Sequence, residues 1–336
     1  MCKTIHFLVL LEDMKKRLLS GIQPSGDIHL GNYFGAIKQF VDLQNDYESF
    51  IFIADLHAIT TIQDKDKLSK NILNVALDYL ACGLDPEKVC LFKQSDVPIV
   101  TELMWYFNCI TTVPYLERAT AYKDAHLKAK EINVGLFDYP MLMAADILIY
   151  DSDVVPVGQD QKQHVEYARD TALKFNNIFG ETFKIPESLI MKDVAIVPGI
   201  DGKKMSKSYK NTIPLFGTDE EIKKAVMKIV TDSKGTDESK DPDACNIFAL
   251  HKLFLNEEDL KILREQYIKG GLGYKESKEM LYEEIINFIK PMRERRETYA
   301  KDLDEVRKIL KNGAQKANKI VEEKMKIIRD NIGVNI

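Results

Sequence analysis

None of the five cysteines, at positions 2, 82, 90, 109 and 245, has a partner at the C-x-x-C spacing of a zinc, iron–sulfur or redox site. They are also too few and too scattered for a disulfide framework, so buried, inert thiols in a reducing compartment are expected. Long apolar runs are equally absent. The stretch Ile5 to Leu11 is interrupted by His6 and followed by Glu12 and Asp13, the wrong flank for a signal peptide or a membrane span. A cytoplasmic protein with no membrane partner is expected. Nor is there a large charge of either sign: 47 Lys and Arg against 52 Asp and Glu leave −5, so any contact with nucleic acid has to come from a local patch. No internal repeat or low-complexity tract interrupts the chain. What remains is 336 residues, 45% apolar and 29% charged, enough for a sizeable buried core and incompatible with disorder.

The first thirteen residues match nothing that follows and are expected to be an extension, with Met14 as the start; the alternative is an ordered amphipathic arm. From Arg17 onward short apolar runs alternate with helical patterns, the order that builds an α/β parallel sheet with helices on both faces. Expected strands are Leu18 to Ile22, Phe50 to Ala54, Val89 to Phe92, Val154 to Val157 and Val194 to Val197, rich in the residues of doubly buried strands. After Ile213 the strands stop and charged helical periodicity takes over: 219–230, 247–254, 257–267, 274–310 and 314–331. Lys311-Asn312-Gly313 is expected to separate the last two helices, and the polar stretch Ser233 to Asp243 to be a mobile loop. From Pro291 to Asp330 there are twelve Lys and Arg and eight Asp and Glu, a surplus of four in an acidic protein. Such a face suits an RNA backbone, and an ordinary solvated helix surface equally well.

Two segments carry chemistry. After the first strand comes Gln23-Pro24-Ser25-Gly26-Asp27-Ile28-His29-Leu30-Gly31-Asn32, running into a helix-compatible stretch. Backbone N–H groups at a helix start and the helix dipole favour an anion, Gly26 and Gly31 permit close approach, and His29 and Asn32 offer donors to phosphate oxygens. The second segment is Asp201-Gly202-Lys203-Lys204-Met205-Ser206-Lys207-Ser208. Lysines three apart with small hydroxyl residues between them form a flexible phosphate clamp, or on their own a solvated loop. A third stretch, Tyr139-Pro140-Met141-Leu142-Met143-Ala144-Ala145-Asp146-Ile147-Leu148, brings Tyr139, Met143, Asp146 and Tyr150 to one helix face, with Asp146 the only charge between Asp138 and Asp151. A carboxylate there needs a donor, either from the protein or from a ligand N–H entering an apolar slot lined by aromatics and sulfur, a description that suits indole.

Taken together, His29-Leu30-Gly31-Asn32 resembles the "HIGH" motif, and Lys204-Met205-Ser206-Lys207-Ser208 the "KMSKS" loop, of class I aminoacyl-tRNA synthetases. Ser20-Gly21-Ile22-Gln23-Pro24-Ser25-Gly26, the stretch from Tyr139 to Leu148, and Val155-Pro156-Val157-Gly158-Gln159-Asp160-Gln161-Lys162-Gln163-His164 look like the bacterial tryptophanyl-tRNA synthetase family, over about Arg17 to Asp330. The resemblance implies a Rossmann-like catalytic unit over 14–212 with a helical dimerisation insertion around 98–150, then a helical tRNA anticodon-binding unit over 213–336. It implies ATP, with Mg²⁺ brought by the nucleotide, L-tryptophan and tRNA(Trp) as ligands, and a homodimer. His29, Asn32, Lys204 and Lys207 would stabilise phosphate charge. ATP would also meet Gln23, Pro24, Ser25, Gly31, Met205, Ser206 and Ser208, the ribose Gly158, Gln159 and Asp160, and adenine the backbone of Ile196. Asp146 would accept the indole N–H, with Met143 on the same helix face, and Tyr139 and Gln161 would hold the substrate ammonium.

Several features depart from that pattern or stay outside it. Tyr209-Lys210-Asn211 follows the lysine motif where many family members have Asp before the Asn. The segment Lys123 to Lys130 lies where a further basic phosphate contact is expected, and none of its lysines is assigned. Cys245 stands alone, against a C-terminal iron–sulfur site, and no protein-bound structural metal is expected. His57, His126, His164 and His251 lack ligand spacing and are expected as surface or satisfied core histidines. The apolar stretches Leu103 to Phe107 and Val113 to Leu116 belong to the core or to a subunit interface, and the resemblance favours the interface. Tyrosyl specificity and a non-charging RNA-binding paralogue are the rival readings.

Overall fold

The computed structural model describes residues 15–127, 131–158, 162–189 and 197–335. Residues 1–14, Gln159, Asp160, Gln161 and Ile196 lie outside them. In chain order the elements are β1 (Arg17–Ile22), α1 (Leu30–Asn32), a π-helical turn (Tyr33–Ile37), α2 (Lys38–Leu43), β2 (Glu48–Ile53), α3 (Asp55–Ile59), α4 (Lys65–Ala81) and β3 (Val89–Lys93). Then follow α5 (Ile99–Ile110), α6 (Val113–Leu116), α7 (Thr120–Leu127), α8 (Val134–Ile149), β4 (Val154–Pro156), α9 (Lys162–Phe179) and β5 (Glu187–Leu189). The helical third comprises α10 (Asp219–Met227), α11 (Asn246–His251), α12 (Glu257–Lys269), α13 (Tyr274–Lys301) and α14 (Leu303–Ile332).

All strand pairs are parallel, in the order β3-β2-β1-β4-β5, so the winding reverses between β1 and β4. Side chains alternate across the sheet as the period of two requires. Leu18, Ile51, Ile53, Leu91 and Val154 enter one core, and Leu19, Phe50, Phe52, Cys90, Phe92 and Val155 the other. Four of the expected strands appear with shifts of one or two residues at their ends. Of the fifth expected strand only Val197 lies within the described residues, where it accepts the Met205 N–H at 2.9 Å at the base of the lysine loop; the described edge strand, Glu187-Ser188-Leu189, was not expected, being partly exposed and without the apolar signature of its neighbours.

The helical third packs onto both faces of the sheet. Leu281, Ile285, Ile289 and Met292 of α13 share the core of Leu18 and Ile51, and Ala314, Ala317, Val321, Met325 and Ile328 of α14 share that of Phe50 and Phe92. The last two helices do not part at Gly313. They part at Asp302, whose carboxylate accepts the Glu305 N–H at 3.0 Å and so caps α14. Gly313 lies inside α14, where a Cβ would stand 1.9 Å from the Leu91 carbonyl oxygen, so its missing side chain serves helix-on-strand contact rather than a stop.

The expected mobile loop is tied down by Lys240. This side chain is 1% exposed, and its ammonium donates to the carbonyls of Gly235, Thr236 and Glu238 at 2.7, 3.1 and 3.1 Å. Of the described cysteines Cys82, Cys90 and Cys245 are buried as expected, whereas Cys109 is exposed. The two apolar stretches divide: Leu103, Phe107 and Leu116 are core, while Trp105 and Val113 are 65% and 59% exposed. None of the described helices is long and apolar enough to cross a membrane.

Candidate active site

In a doubly wound sheet ligands bind beyond the carboxyl ends of the strands at the reversal of winding, here the ends of β1 and β4. The β1 loop enters α1 there and continues through the π turn, an irregularity common beside functional sites. Asn71 of α4 donates to the Pro24 carbonyl at 2.9 Å, and Asn32 Oδ1 accepts from the His29 backbone N–H at 3.2 Å. The His29 ring is 6% exposed and its Nδ1 has no hydrogen-bond partner. Burial, reinforced by the Lys207 ammonium, pulls its pKa down to about 4, so the ring is neutral near pH 7.

The lysine loop folds directly onto this segment. Lys207 Nζ donates to the Gly26 carbonyl at 2.8 Å and reaches Ser25 Oγ at 3.4 Å, and the Gly31 N–H points at Met205 Sδ at 3.3 Å. A Cβ on Gly31 would stand 3.0 Å from the His29 ring and 3.1 Å from Met205 Cβ, so glycine permits the closure. Behind it, Leu30 donates to Ile213 and Leu215 to Ile28, backbone to backbone at 3.0 Å. Burial lowers the Lys207 pKa, against the pull of Asp27 and Asp78. The loop carries internal structure: Pro198 and Lys204 form an antiparallel bridge, and Lys207–Tyr209 is a 3₁₀ turn whose Ser206 side chain accepts the Ser208 N–H at 3.3 Å. Thus Ser25, Gly26, His29, Gly31, Asn32, Met205, Ser206 and Lys207 come together, with Ser208 in that turn. Gln23 and Lys204 are exposed at the edges.

Asp146 lies on α8, 4% exposed. Its partners are protein donors: Gln94 Nε2 stands 2.9 and 2.8 Å from its two oxygens, and His57 Nε2 2.9 Å from Oδ2. Burial raises the Asp146 pKa, opposed by the bonds from His57 and Gln94. Phe52, Phe92, Val97, Val100 and Tyr150 complete an apolar surround. Tyr139, two helical turns earlier, is half-buried, with its hydroxyl 2.9 Å from His164 Nε2 and its ring edge-on to that of His57. Met143 is partly buried on the same helix face. Gly158 follows β4 as the last described residue before the three that lie outside.

Gln94 is a site residue that sequence reasoning passed over, and His57, expected as a surface or satisfied core histidine, is a buried one whose partner is Asp146. Each lies within five residues of the carboxyl end of a strand, β2 and β3, which is the one signal that could have flagged them. His251 is a satisfied core histidine, bonded to Glu284 and Ser277 at 2.7 and 3.1 Å. Among the described residues no group of three or more His, Cys, Asp or Glu is arranged to hold a metal.

This sheet order, with an anion-type loop at its first strand and a lysine hairpin packed over it, is that of a doubly wound nucleotide-binding fold. A family model described as tRNA synthetases class I (W and Y) matches residues 12–290. The tryptophan–tRNA ligase of Fusobacterium nucleatum is 52% identical over 320 residues, 95% of this chain and 98% of that protein, and that of Rhodopirellula baltica 49% identical over 95% and 99%. A crystal structure of tryptophanyl-tRNA synthetase from Campylobacter jejuni, complexed with ADP and tryptophan, superposes with a TM-score of 0.89 at 49% identity, covering 94% of this chain and 99% of that one. The chain belongs to the class I tRNA synthetases for tryptophan and tyrosine, and within them to the tryptophan–tRNA ligase family.

Proposed function

We propose that the chain joins L-tryptophan to tRNA(Trp) in two steps, first forming tryptophanyl-adenylate and pyrophosphate from ATP, then passing the tryptophanyl group to tRNA. The observation that carries this reading is the meeting of two loops 174 positions apart, where Gly31 N–H faces Met205 and Lys207 caps Gly26, at the reversal point of the sheet. The relatives' shared name supplies the amino acid.

The substrate carboxylate attacks the α-phosphorus in line, and no protein nucleophile is needed; catalysis is positioning plus stabilisation of phosphate charge. His29, neutral and with Nδ1 unpartnered, and Asn32 hold phosphate oxygens, while Lys204 and Lys207 follow the charge that builds on departing pyrophosphate. Mg²⁺ travels with ATP and supplies further neutralisation of its phosphates. Gln23, Pro24, Ser25, Gly31, Met205, Ser206 and Ser208 shape the triphosphate site, and Gly158, Gln159, Asp160 and Ile196 the nucleoside site. Asp146 keeps acceptor capacity beyond the donors of His57 and Gln94, since two carboxylate oxygens offer about four lone-pair sites. It reads the indole N–H, with Met143 packing near the ring and Tyr139 and Gln161 holding the ammonium. The exposed Trp105 and Val113 in the helical segment 98–150 form part of a homodimer interface, and the unit over 213–336 takes the anticodon end of tRNA. The enzyme works in the cytoplasm.

The direct test is ATP–pyrophosphate exchange with each of the twenty amino acids. Exchange with tryptophan alone supports the reading, and equal or greater exchange with tyrosine, or ATP binding without exchange, overturns it.

A further inference from the structure

Asn211, three residues beyond the KMSKS-type motif, is among the most completely bonded polar side chains described. It is 1% exposed. Its Nδ2 donates to Asp201 Oδ1 at 2.7 Å and to the Lys204 carbonyl at 3.1 Å, its Oδ1 accepts the Ser206 N–H at 2.8 Å, and its backbone carbonyl accepts the Ile200 N–H at 3.0 Å. One amide therefore grips the loop at 201, 204 and 206, on both sides of Met205, the residue that touches Gly31. Room for it exists because position 199 is glycine: a Cβ there would stand 2.3 Å from Asn211 Nδ2. The next residue back, Lys210, holds a left-handed conformation at φ 53°, a backbone cost that a side chain tolerates when its surroundings over-determine it.

We infer that Asn211 is the positioning residue of the lysine loop: its amide fixes the backbone from which Lys204 and Lys207 project, and so sets how both ammonium groups meet the leaving pyrophosphate. The inference rests on the proposed phosphate role of these lysines. The lysine loop is in this view a preformed hairpin, and a neutral buried residue acts on the rate through the two lysines. Leucine or alanine at 211 would leave the Ser206 N–H and the Lys204 carbonyl without their partner, and aspartate would set a second carboxylate against Asp201 and that carbonyl.

The test is a double-mutant cycle in ATP–pyrophosphate exchange on the full chain, with Asn211→Ala, Lys207→Ala and the pair, and thermal melting recorded for each. Asn211→Ala is expected to lower kcat by about tenfold or more, as misplacement of charge-stabilising groups does, and to leave the tryptophan KM within about twofold. The double variant should fall clearly short of the product of the two single losses, because once Lys207 is absent only Lys204 is left to be misplaced. Multiplicative effects, or a kcat loss matched by a rising tryptophan KM and a fallen melting temperature, would reduce Asn211 to a general stabiliser and overturn the inference. A second pair serves if the alanine variant folds poorly: Asn211→Asp should be slower still, and Asp201→Asn in that background should restore part of the rate by supplying a donor to the new carboxylate. If Lys207→Ala itself leaves kcat unchanged, the phosphate reading fails, a result distinct from failure at Asn211.

Discussion

Replacing Asp146 separates recognition from folding, because the structure gives it two neighbours with different tolerances. In Asp146→Ala the Gln94 amide and His57 Nε2, which now donate at 2.8 to 2.9 Å, lose their acceptor. An orphaned buried donor costs about 1–3 kcal/mol, offset in part by removing a carboxylate whose ionised form burial disfavours. Lost contact with a substrate N–H adds about 1.5–3 kcal/mol on the binding side, roughly ten- to a hundredfold in tryptophan KM. Asp146→Asn changes the balance. Gln94 Oε1 accepts only a long 3.4 Å bond from the His57 N–H, so its amide can turn over at small cost and accept from the new asparagine. Folding should then stay near wild type while tryptophan KM rises about five- to tenfold, the difference between a charged and a neutral acceptor. The assay is exchange against tryptophan and against its analogue with sulfur in place of the ring nitrogen, with ATP KM and melting curves as controls. Wild type should reject the sulfur analogue and the alanine variant should discriminate far less. Equal discrimination by both would mean that Asp146 serves only His57 and Gln94, and the reading of indole would lose its physical support.

Gly313→Ala should destabilise the fold by about 3 kcal/mol or more, measured by urea unfolding, since its Cβ falls 1.9 Å from the Leu91 carbonyl in a helix clamped against β3; a loss under about 1 kcal/mol would show that α14 can slide. Burial raises the Asp78 carboxyl to about 6, against the pull of Arg296 at 2.6 Å. A raised carboxyl keeps a proton in the folded state that the unfolded chain releases, so its contribution to stability falls as pH rises from about 4 to 6 and stays low above. Unfolding free energies of wild type minus Asp78→Asn should therefore drop by on the order of 2–3 kcal/mol across that window, and a flat difference would refute the shift. Arg293→Ala removes a surface bond to Asp219 that is worth about 1 kcal/mol at most, together with a part-buried bond to the Gly217 carbonyl, and should leave the salt dependence of tRNA binding unchanged, whereas Lys316→Glu with Lys319→Glu should weaken binding and leave exchange intact; the reverse pattern would place the RNA face elsewhere.

How far the sequence could be read follows from what kind of contact each feature depends on. Four of the five strands were legible because a strand buried on both faces has to be almost wholly apolar, as in Ser49 to Ile53, where all five residues are buried. The edge strand Glu187–Leu189 escapes that rule, since one of its sides meets solvent. Within the candidate site, the two phosphate-type loops announce themselves by glycine, lysine and hydroxyl residues at short range. Asp146 was legible as a charge in an apolar helix. Its partners were not, because His57 and Gln94 come from two other segments and only tertiary structure brings them to one carboxylate. Tyr139 and His164 illustrate the same limit: the former stood out by helical spacing, but the hydroxyl-to-imidazole contact of 2.9 Å spans 25 positions and two helices.

Charge counts are the most misleading quantity in the helical third, and the structure shows why. The surplus of four between Pro291 and Asp330 suggests a cationic face. Yet Arg293 pairs with Asp219, Arg296 with Asp78, Lys324 with Asp151 and Arg329 with Glu102, four carboxylates that all lie outside that segment. The surplus is thus matched one for one by acidic groups of the elements that these helices cover, and Arg295 adds a bond to the Ala81 carbonyl. These cations hold α13 and α14 onto α10, α4, α5 and the turn between α8 and β4, and Asp78 is also among the charges that act on Lys207. A basic count along a helix therefore measures two different things, attachment to the rest of the fold and attraction for a polyanion, and only exposure separates them. Lys311, Lys316, Lys319 and Lys326 are all exposed on α14, and Lys316 and Lys319 stand about one helical turn apart, a pair on which an RNA reading of this face can be tested.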